Sequence, residues 1–242
     1  MTSSESADLF ARSWSLYDHI TEHNYMFHQE IYAEFSELLK QRHDGGQYRM
    51  LDLGCGNARY LVPALIESLP GHYQGVDLSQ VALDEAAGYL AELPSVILSY
   101  GDLLQAVEST ADRWDIIFTG YALHHLSAED KARFFQAAAR CLSPGGWLVM
   151  VDVVRQEEQS REHYVEGYLK FMRETWIKIP PDQLDEACAH VESHDYPETL
   201  SDLDEMARVT GLNKSHVISR HGPHYTVMFS REGAESSGAN MS

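Results

Sequence analysis

Short apolar runs recur along the chain, and stretches in which apolar residues return every three or four positions lie between them. The runs predicted as strands lie at 50–53, 73–77, 95–100, 114–119 and 147–153, and most of their residues are apolar. Runs of this length that alternate with helical patterns are typical of βαβ units, whose strands form a parallel sheet. Two later β-rich runs, 215–219 and 225–229, flank Gly222 and Pro223 and predict a hairpin. The pattern therefore predicts an α/β fold.

The segment before the first predicted strand has a helical pattern. Phe10, Trp14 and Tyr17 recur at spacings of three and four, and a second set begins at Phe27. This spacing predicts two short helices between residues 9 and 40. Two roles remain open for them. They either pack on the sheet as additional core or form a lid over a ligand pocket.

Further helices are predicted after the fourth and fifth strands. Ser127 is placed as the N-cap of one helix, and Ser-Pro-Gly-Gly at 143–146 predicts the turn that ends it. Residues 156–194 are helical in pattern, charged and aromatic. An amphipathic helix is predicted from 199 to 210, directly before the hairpin.

A tight glycine turn follows the first strand. Asp52 ends the apolar run, and Gly54 and Gly56 come one residue apart before a new helical pattern begins. Glycines allow positive φ and let a ligand approach the backbone closely. Asp77 lies twenty-one residues after Gly56 at the end of the second strand, where an acidic residue can accept hydrogen bonds from ribose hydroxyls. This layout is typical of a nucleotide-binding loop.

Five motifs in this order resemble the class I S-adenosylmethionine-dependent methyltransferases. They are D-L-G-C-G at 52–56, V-D-L-S at 76–79, G-D-L at 101–103, W-D-I-I-F at 114–118 and L-S-P-G-G-W-L-V at 142–149. The resemblance is strong over 50–153 and looser as far as 230. It implies a doubly wound, mostly parallel seven-stranded sheet with an antiparallel last strand, and an N-terminal helical cap.

Two positions after the glycine turn qualify this resemblance. Ala58 stands where the family often has a third glycine, and alanine is small enough to be tolerated. In a nicotinamide-binding loop the third glycine would fall at Arg59, so the sequence argues against an oxidoreductase.

The resemblance implies S-adenosylmethionine as cofactor. Asp52 would face its ammonium group, Asp77 its ribose and Asp102 its adenine amino group. Asp102 could instead only cap a turn, and Cys55 is interpreted as the small residue of the glycine turn rather than as a nucleophile. The predicted cofactor-binding residues are Tyr17, Asp52, Gly54, Cys55, Gly56, Asp77, Leu78, Gly101, Asp102, Leu103 and Thr119.

The candidate catalytic residues follow the fourth strand. Tyr121, His124 and His125 are predicted to face the transferable methyl group, together with Asp152 from the fifth strand. A histidine there could act as a base because imidazole titrates near neutral pH. The histidines could also be structural, since L-H-H-L is common at this place in relatives of many specificities. Further predicted acceptor contacts are Tyr25, His28, Tyr168, Phe171 and Trp176.

The thirteen histidines also raise the question of a metal site. His19 and His23 have helical i, i+4 spacing, and so do His190 and His194. Such a pair needs a third protein ligand. The sequence offers no H-E-x-x-H motif and no cysteine cluster. We therefore expect no metal and interpret these histidines as surface or substrate-pocket residues.

Composition limits the kinds of partner. The net charge of −19 would repel a phosphate backbone, so a nucleic-acid substrate is not expected. No apolar run is long enough to span a membrane. Three cysteines without a C-x-x-C pair fit a reducing compartment, and we expect a cytoplasmic protein. A monomer or a homodimer fits the sequence equally well.

The predicted domain organisation has five parts. They are an N-terminal helical cap (1–45), a cofactor-binding core (46–154), a helical substrate-recognition insertion (155–198), the C-terminal part of the core (199–231) and a disordered tail (232–242). The expected function is methylation of an O, N or S atom on a small metabolite. A protein methyltransferase, or a catalytically silent module that binds S-adenosylmethionine, remains an alternative.

Overall fold

The computed structural model describes residues 16–43 and 47–232, which form one seven-stranded sheet with helices on both faces. The strands are β1 Arg49–Leu53, β2 His72–Asp77, β3 Val96–Tyr100, β4 Trp114–Gly120, β5 Leu142–Val153, β6 Lys214–His221 and β7 His224–Ser230. The helices are α1 (16–22), α2 His28–His43, α3 Val62–Ser68, α4 Gln80–Tyr89, α5 Leu103–Ser109, α6 Ala128–Cys141, α7 Arg161–Thr175, α8 Pro181–His194 and α9 Leu200–Arg208.

The strand order is β3-β2-β1-β4-β5-β7-β6. The first five strands pair in parallel, and β7 is antiparallel to both β5 and β6. The predicted α/β fold, the parallel sheet and the antiparallel hairpin at its end are therefore confirmed. The order reverses between β1 and β4, which creates the crevice at the carboxyl edge where open α/β sheets bind ligands.

The prediction that residues 143–146 form a turn between α6 and β5 is wrong, because this segment lies inside β5. α6 ends at Cys141, and β5 already begins at Leu142. The register then moves from Trp114 beside Leu142 to Ile116 beside Trp147, so four residues bulge out within one strand. The Ser-Pro-Gly-Gly sequence favours local bending, but pairing with β4 on both sides of the bulge keeps the segment in the sheet.

Three apolar clusters stabilise the molecule. One packs α5, α6 and α9 on one face of the sheet, and a second packs α2, α3 and α4 on the other face. The third lies beyond the carboxyl edge and joins α1 to α7 and α8 through side chains such as Ile20, Met172 and Val191. Because this third cluster covers the crevice rather than the sheet, it forms the roof of the cavity described below.

The two N-terminal helices have different positions. Ile31, Phe35 and Leu39 of α2 are completely buried in the second cluster, as expected for core. α1 instead forms part of the roof through Leu16 and Ile20. The core role left open by the sequence therefore applies to α2, whereas a lid role for α1 stays a prediction.

Some sequence expectations lie outside the described residues. These include Phe10 and Trp14 and nearly all of the tail predicted at 232–242. Among the described residues, no helix combines the length and apolar character that crossing a membrane requires.

Candidate functional site

The turn after β1 is built from positive backbone angles. Gly54 has φ 77°, Gly56 has φ 52° and Ala58 has φ 56°. The amides of Gly54 and Cys55 both donate to the carbonyl of Val76 on β2. A Cβ atom at Gly54 would lie 2.5 Å from the Cβ of Ala122. A residue with a side chain therefore does not fit at position 54 unless the backbone moves.

Asp77 is hydrogen-bonded to this turn. Its Oδ2 accepts from the Gly56 amide at 2.8 Å and its Oδ1 from the Ser79 amide at 2.8 Å. Burial raises the pKa of the carboxyl group, and the backbone donors oppose that rise. Each oxygen retains acceptor capacity, because a carboxylate oxygen can accept more than one hydrogen bond.

Asp52 is a buried carboxylate whose hydrogen bonding is incomplete. Tyr73 donates to its Oδ2 at 2.7 Å, whereas Oδ1 has no hydrogen-bond partner among the described residues. Burial raises its pKa to about 7, against the opposing hydrogen bond from Tyr73. A buried carboxylate oxygen without a donor is costly. It therefore fits a ligand that brings a positive, hydrogen-bonding group.

A cavity of about 600 Å³ extends from this turn along the carboxyl ends of the strands. This volume lies within the range of small-molecule sites. Of the eleven predicted cofactor-binding residues, all but Thr119 line the cavity. Asp102 does so while it also caps α5, since its Oδ1 accepts from the Gln105 amide at 2.9 Å. Capping and cavity lining are thus compatible.

Thr119 points away from the cavity. Phe118 and Gly120 line the cavity, and alternate residues of a strand face opposite sides of the sheet. The Thr119 side chain is completely buried. The structure thus contradicts a cavity-facing side chain at this position.

An aromatic cluster surrounds His28 in the middle of the cavity. The Tyr17 hydroxyl lies 3.0 Å from His28 Nε2, and the rings of Tyr60 and Tyr121 are centred 4.9 Å from the imidazole. Burial lowers the pKa of His28 to about 3, so the ring is neutral. Tyr121 has φ 54° and donates through its hydroxyl to the Met26 carbonyl at 2.5 Å.

Arg59 connects the glycine turn to α1. Its guanidinium lies 3.0 Å from Asp18 and donates to the Thr21 hydroxyl at 3.0 Å. The neighbouring Tyr60 hydroxyl donates to the Thr21 carbonyl at 2.7 Å. In the sequence, Arg59 stood out only as the position of a missing glycine. The signal for its role was an arginine directly after a ligand-binding turn, with Asp18 in a helical segment upstream.

His124 lies between two carboxylates at the far end of the cavity. Its Nδ1 is 2.5 Å from Asp152 Oδ1 and its Nε2 is 3.6 Å from Asp195 Oδ1. Burial alone would lower its pKa, but these two charges outweigh burial and raise the pKa to about 9. His124 lines the cavity, whereas Asp152 lies behind it and is not part of the lining. Asp152 therefore adjoins the cavity through His124 rather than through its own side chain.

His125 and His190 gather around the same Asp195. His125 Nδ1 lies 3.5 Å and His190 Nε2 4.0 Å from Asp195 Oδ1. Burial and the nearby His124 lower the pKa of His125 well below its usual range. Burial also lowers the pKa of His190 to about 4 and raises that of Asp195 to about 6. Asp195 was not predicted from the sequence, because it is remote from every recognised motif.

The predicted aromatic acceptor contacts divide into two groups. Tyr168 and Trp176 line the cavity, and so does His28. Tyr25 and Phe171 are not among the lining residues. Tyr25 stacks on the outer side of Trp176 with ring centres 5.5 Å apart, and Phe171 stacks on Tyr168. Both support the wall from behind.

The known proteins to which this chain is similar are methyltransferases. A family model described as a methyltransferase domain matches residues 50–146. Phosphoethanolamine N-methyltransferase of Plasmodium falciparum is 25% identical over 131 residues, which cover 54% of this chain and 48% of that protein. Alpha N-terminal protein methyltransferase 1 of Caenorhabditis elegans is 28% identical over 129 residues, which cover 52% of this chain and 53% of that protein. The chain thus spans about half the length of these relatives.

Solved structures share the fold at low sequence identity. Magnesium protoporphyrin IX methyltransferase from Synechocystis, with bound S-adenosylhomocysteine, has a TM-score of 0.68 and 13% identity, and the match covers 96% of this chain and 100% of that one. The family resemblance predicted from the five motifs is confirmed. Residues 50–146 thus match a methyltransferase domain, and the chain is similar to class I S-adenosylmethionine-dependent methyltransferases.

Proposed function

We propose that this protein transfers a methyl group from S-adenosylmethionine to a small molecule. The observation that carries the proposal is the continuity of the cavity. One cavity runs from the glycine turn and Asp77 to a chamber between α1, α7 and α8. The first part suits a nucleoside-containing cofactor, and the second has room for an acceptor in line with it.

The residues of the first part fit S-adenosylmethionine. We assign the cofactor's ammonium group to the unpartnered Oδ1 of Asp52, its ribose to Asp77 and its adenine amino group to Asp102. The glycine turn lets the ligand approach the backbone closely. When bound, this cofactor supplies a methyl group that is already activated by a sulfonium. The protein then has to position the acceptor and exclude water.

The second part of the cavity is bordered by α1, α7 and α8, which supports a small-molecule acceptor. Tyr168, Met172 and Trp176 form an apolar wall from α7, and His124 and Asp195 form the polar side. An aromatic wall of this kind suits a planar or cationic group. The roof formed by α1 and α8 leaves less access for a folded protein than an open groove would. A protein acceptor stays the second candidate because one relative is a protein methyltransferase.

Among the candidate catalytic residues, His124 and His125 differ in what they can do with a proton. His124 stays protonated at neutral pH and can donate a hydrogen bond. His125 stays neutral, so it is the member of the pair that can accept a proton. Tyr121 bounds the methionine end of the cavity. We expect loss of a general base to reduce the rate by about 10²–10⁴.

The cofactor part of the proposal is tested by binding. S-adenosylhomocysteine should raise the melting temperature of the wild-type protein, whereas NAD should not. Asp77→Ala should weaken binding by about 1.5–3 kcal/mol, the usual range for a hydrogen bond to a charged group. Asp84→Ala, on the exposed side of α4, is the matched control. Equal calorimetric affinities for the wild type and Asp77→Ala would remove Asp77 from the site.

The acceptor part is tested with cofactor carrying a radioactive methyl group. The full chain is incubated with a cell extract that has been separated into metabolites and proteins. Label in the metabolite fraction supports the proposal, and label only in proteins favours the second candidate. Cofactor binding with no transfer to either fraction would indicate a binding module.

We also propose a cytoplasmic location, supported by three cysteines that are all free.

A further inference from the structure

We propose that His124, His125 and Asp195 form a binding site for a divalent transition-metal cation at the acceptor end of the cavity. The three ligand atoms, one from each residue, all lie within 4.8 Å of one another. The proposal concerns a cation that the cofactor chemistry does not require. It does not depend on the proposed methyl transfer.

The separations between these atoms suit a small cation. Asp195 Oδ1 lies 3.6 Å from His124 Nε2 and 3.5 Å from His125 Nδ1. A tetrahedral ion with bonds near 2.0–2.1 Å needs neighbouring ligands roughly 3.4 Å apart. His190 Nε2 is 4.0 Å from the same oxygen and lies within reach as a fourth ligand. Little movement is needed to bring the ligands onto one ion.

Asp195 supplies a second observation, because its Oδ1 has only long ion-pair contacts with the histidines and no hydrogen bond. Its side chain is 7% exposed, and Oδ1 has no hydrogen-bond partner among the residues that the structure describes. This oxygen faces the cavity between three imidazole rings. Burial of a carboxylate oxygen without a donor is unfavourable, and a cation at this point would satisfy it.

The surroundings hold the ligands in place. Asp152 bonds His124 Nδ1 at 2.5 Å, which leaves Nε2 directed at Asp195. A carboxylate behind a ligating histidine is the usual arrangement in protein metal sites. The backbone at both His124 and Asp195 is also held by hydrogen bonds. The Tyr196 amide donates to the His124 carbonyl at 2.7 Å, and the Arg161 side chain donates to the Asp195 carbonyl at 2.7 Å.

The ligand chemistry selects the class of cation. Two or three imidazoles with one carboxylate suit Zn²⁺, Fe²⁺, Co²⁺ or Ni²⁺, whereas Mg²⁺ and Ca²⁺ prefer oxygen ligands. His125 Nδ1 also lies 3.3 Å from the His194 carbonyl, so a cation would compete with that contact. If only His124, His125 and Asp195 bind the cation, its fourth position stays open toward the cavity, which these residues line. The cation would act there as a Lewis acid toward an acceptor oxygen or nitrogen.

The experiment uses the full chain without a histidine tag. The protein is treated with a chelator, dialysed and titrated with Co²⁺ at mildly alkaline pH, because metal binding must release the ligand protons. We expect saturation at one equivalent and the strong visible absorption of four-coordinate Co²⁺. Circular dichroism and urea unfolding of each variant check that it is folded. Since no cofactor is present, failure here leaves the methyltransferase proposal untouched.

Two substitutions test the ligands, and one tests the support behind them. Asp195→Asn and His125→Gln should each weaken Co²⁺ binding by at least about tenfold, and Asp152→Asn by about 10–100-fold. The matched control is His19→Gln with His23→Gln, which removes an i, i+4 pair outside the site and should leave affinity unchanged. The proposal is overturned if the wild type shows no saturable binding, or if folded Asp195→Asn keeps wild-type affinity. It is also overturned if the control variant loses as much Co²⁺ affinity as the ligand variants do.

Discussion

Gly54 and Gly88 show how differently one residue type is constrained at two places in this molecule. Gly54 has φ 77°, and an added Cβ would lie 2.5 Å from Ala122. Gly88 lies in α4 with nothing within 4 Å of an added Cβ. The first glycine is required by the ligand-binding turn, whereas the second only adds freedom to the unfolded chain.

Alanine at these two positions should have opposite effects on stability. We expect Gly54→Ala to lower the free energy of unfolding by about 2–4 kcal/mol, because it adds backbone strain and a steric overlap. Gly88→Ala should raise it by about 0.5–1 kcal/mol, since alanine favours the helix. Urea unfolding of both variants measures the difference. Equal stability of the two variants would contradict the role assigned to the turn.

Asp52 illustrates a residue whose binding role opposes stability. Burial raises its folded pKa to about 7, well above the unfolded value. The folded state therefore holds a proton that the unfolded state has lost between about pH 4 and pH 7, and stability falls as pH rises through that window. Above the folded pKa, the protein carries the full cost of a buried carboxylate.

Asp52→Asn should therefore stabilise the protein and weaken its binding of the cofactor. At pH 8 we expect a gain on the order of 1–3 kcal/mol in the free energy of unfolding. Tyr73 can still donate to the amide oxygen. The affinity of the wild type for S-adenosylhomocysteine should fall as pH drops below about 7, because the ammonium needs the ionised carboxylate. Calorimetry at a series of pH values should show that the variant binds S-adenosylhomocysteine more weakly and that its affinity depends less on pH. A wild-type profile in the variant would exclude Asp52 as the ammonium partner.

At the scale of elements, the sequence identified those features that local pattern determines. The strands and the glycine turn were predicted because their signals lie within a few residues. The turn at 143–146 was wrong because pairing of Trp114 and Ile116 with β5 overrode the local preference of Ser-Pro-Gly-Gly. The contact of Asp195 with His124 could not be predicted, since it joins segments seventy residues apart without any repeated spacing.

Helix α1 gives the clearest functional prediction at this scale. Arg59 ties it to the glycine turn through Asp18 and Thr21. Arg59→Met should increase the dissociation rate of S-adenosylhomocysteine by about threefold to tenfold, the loss expected for about one hydrogen bond. The control is Arg133→Met, whose side chain pairs with Glu108 on the surface. Stopped-flow displacement measures both rates.

A second substitution separates the helix from direct ligand contact, because Arg59 itself lines the cavity. If Arg59 acts through α1, Asp18→Asn should have a similar effect, and the double variant should be no worse than either single one. Additive effects would show that Arg59 contacts the ligand independently of Asp18. An unchanged rate in Arg59→Met would exclude both roles.

At the scale of the whole molecule, the sheet and the roof differ in how they are held. The sheet has apolar clusters on both faces, whereas the roof joins α1, α7 and α8 in a third cluster beyond the sheet edge. The candidate cofactor site lies between the two. Elements that cover a ligand site generally come from the less stable part of a protein. Binding and local opening should therefore be coupled in the roof.

Hydrogen exchange should reveal this coupling. In the free protein we expect the amides of α1 and α8 to exchange faster than those of β4 and β5, which lie in the centre of the sheet. S-adenosylhomocysteine should slow exchange in α1, because that helix contacts the cavity at Tyr17 and Thr21. Exchange in α6, on the far face, should not change. Arg59→Met should remove much of the protection of α1 while the ligand is still saturating. Equal protection of α1 and α6 would indicate that the ligand stabilises the molecule globally, without a separate roof.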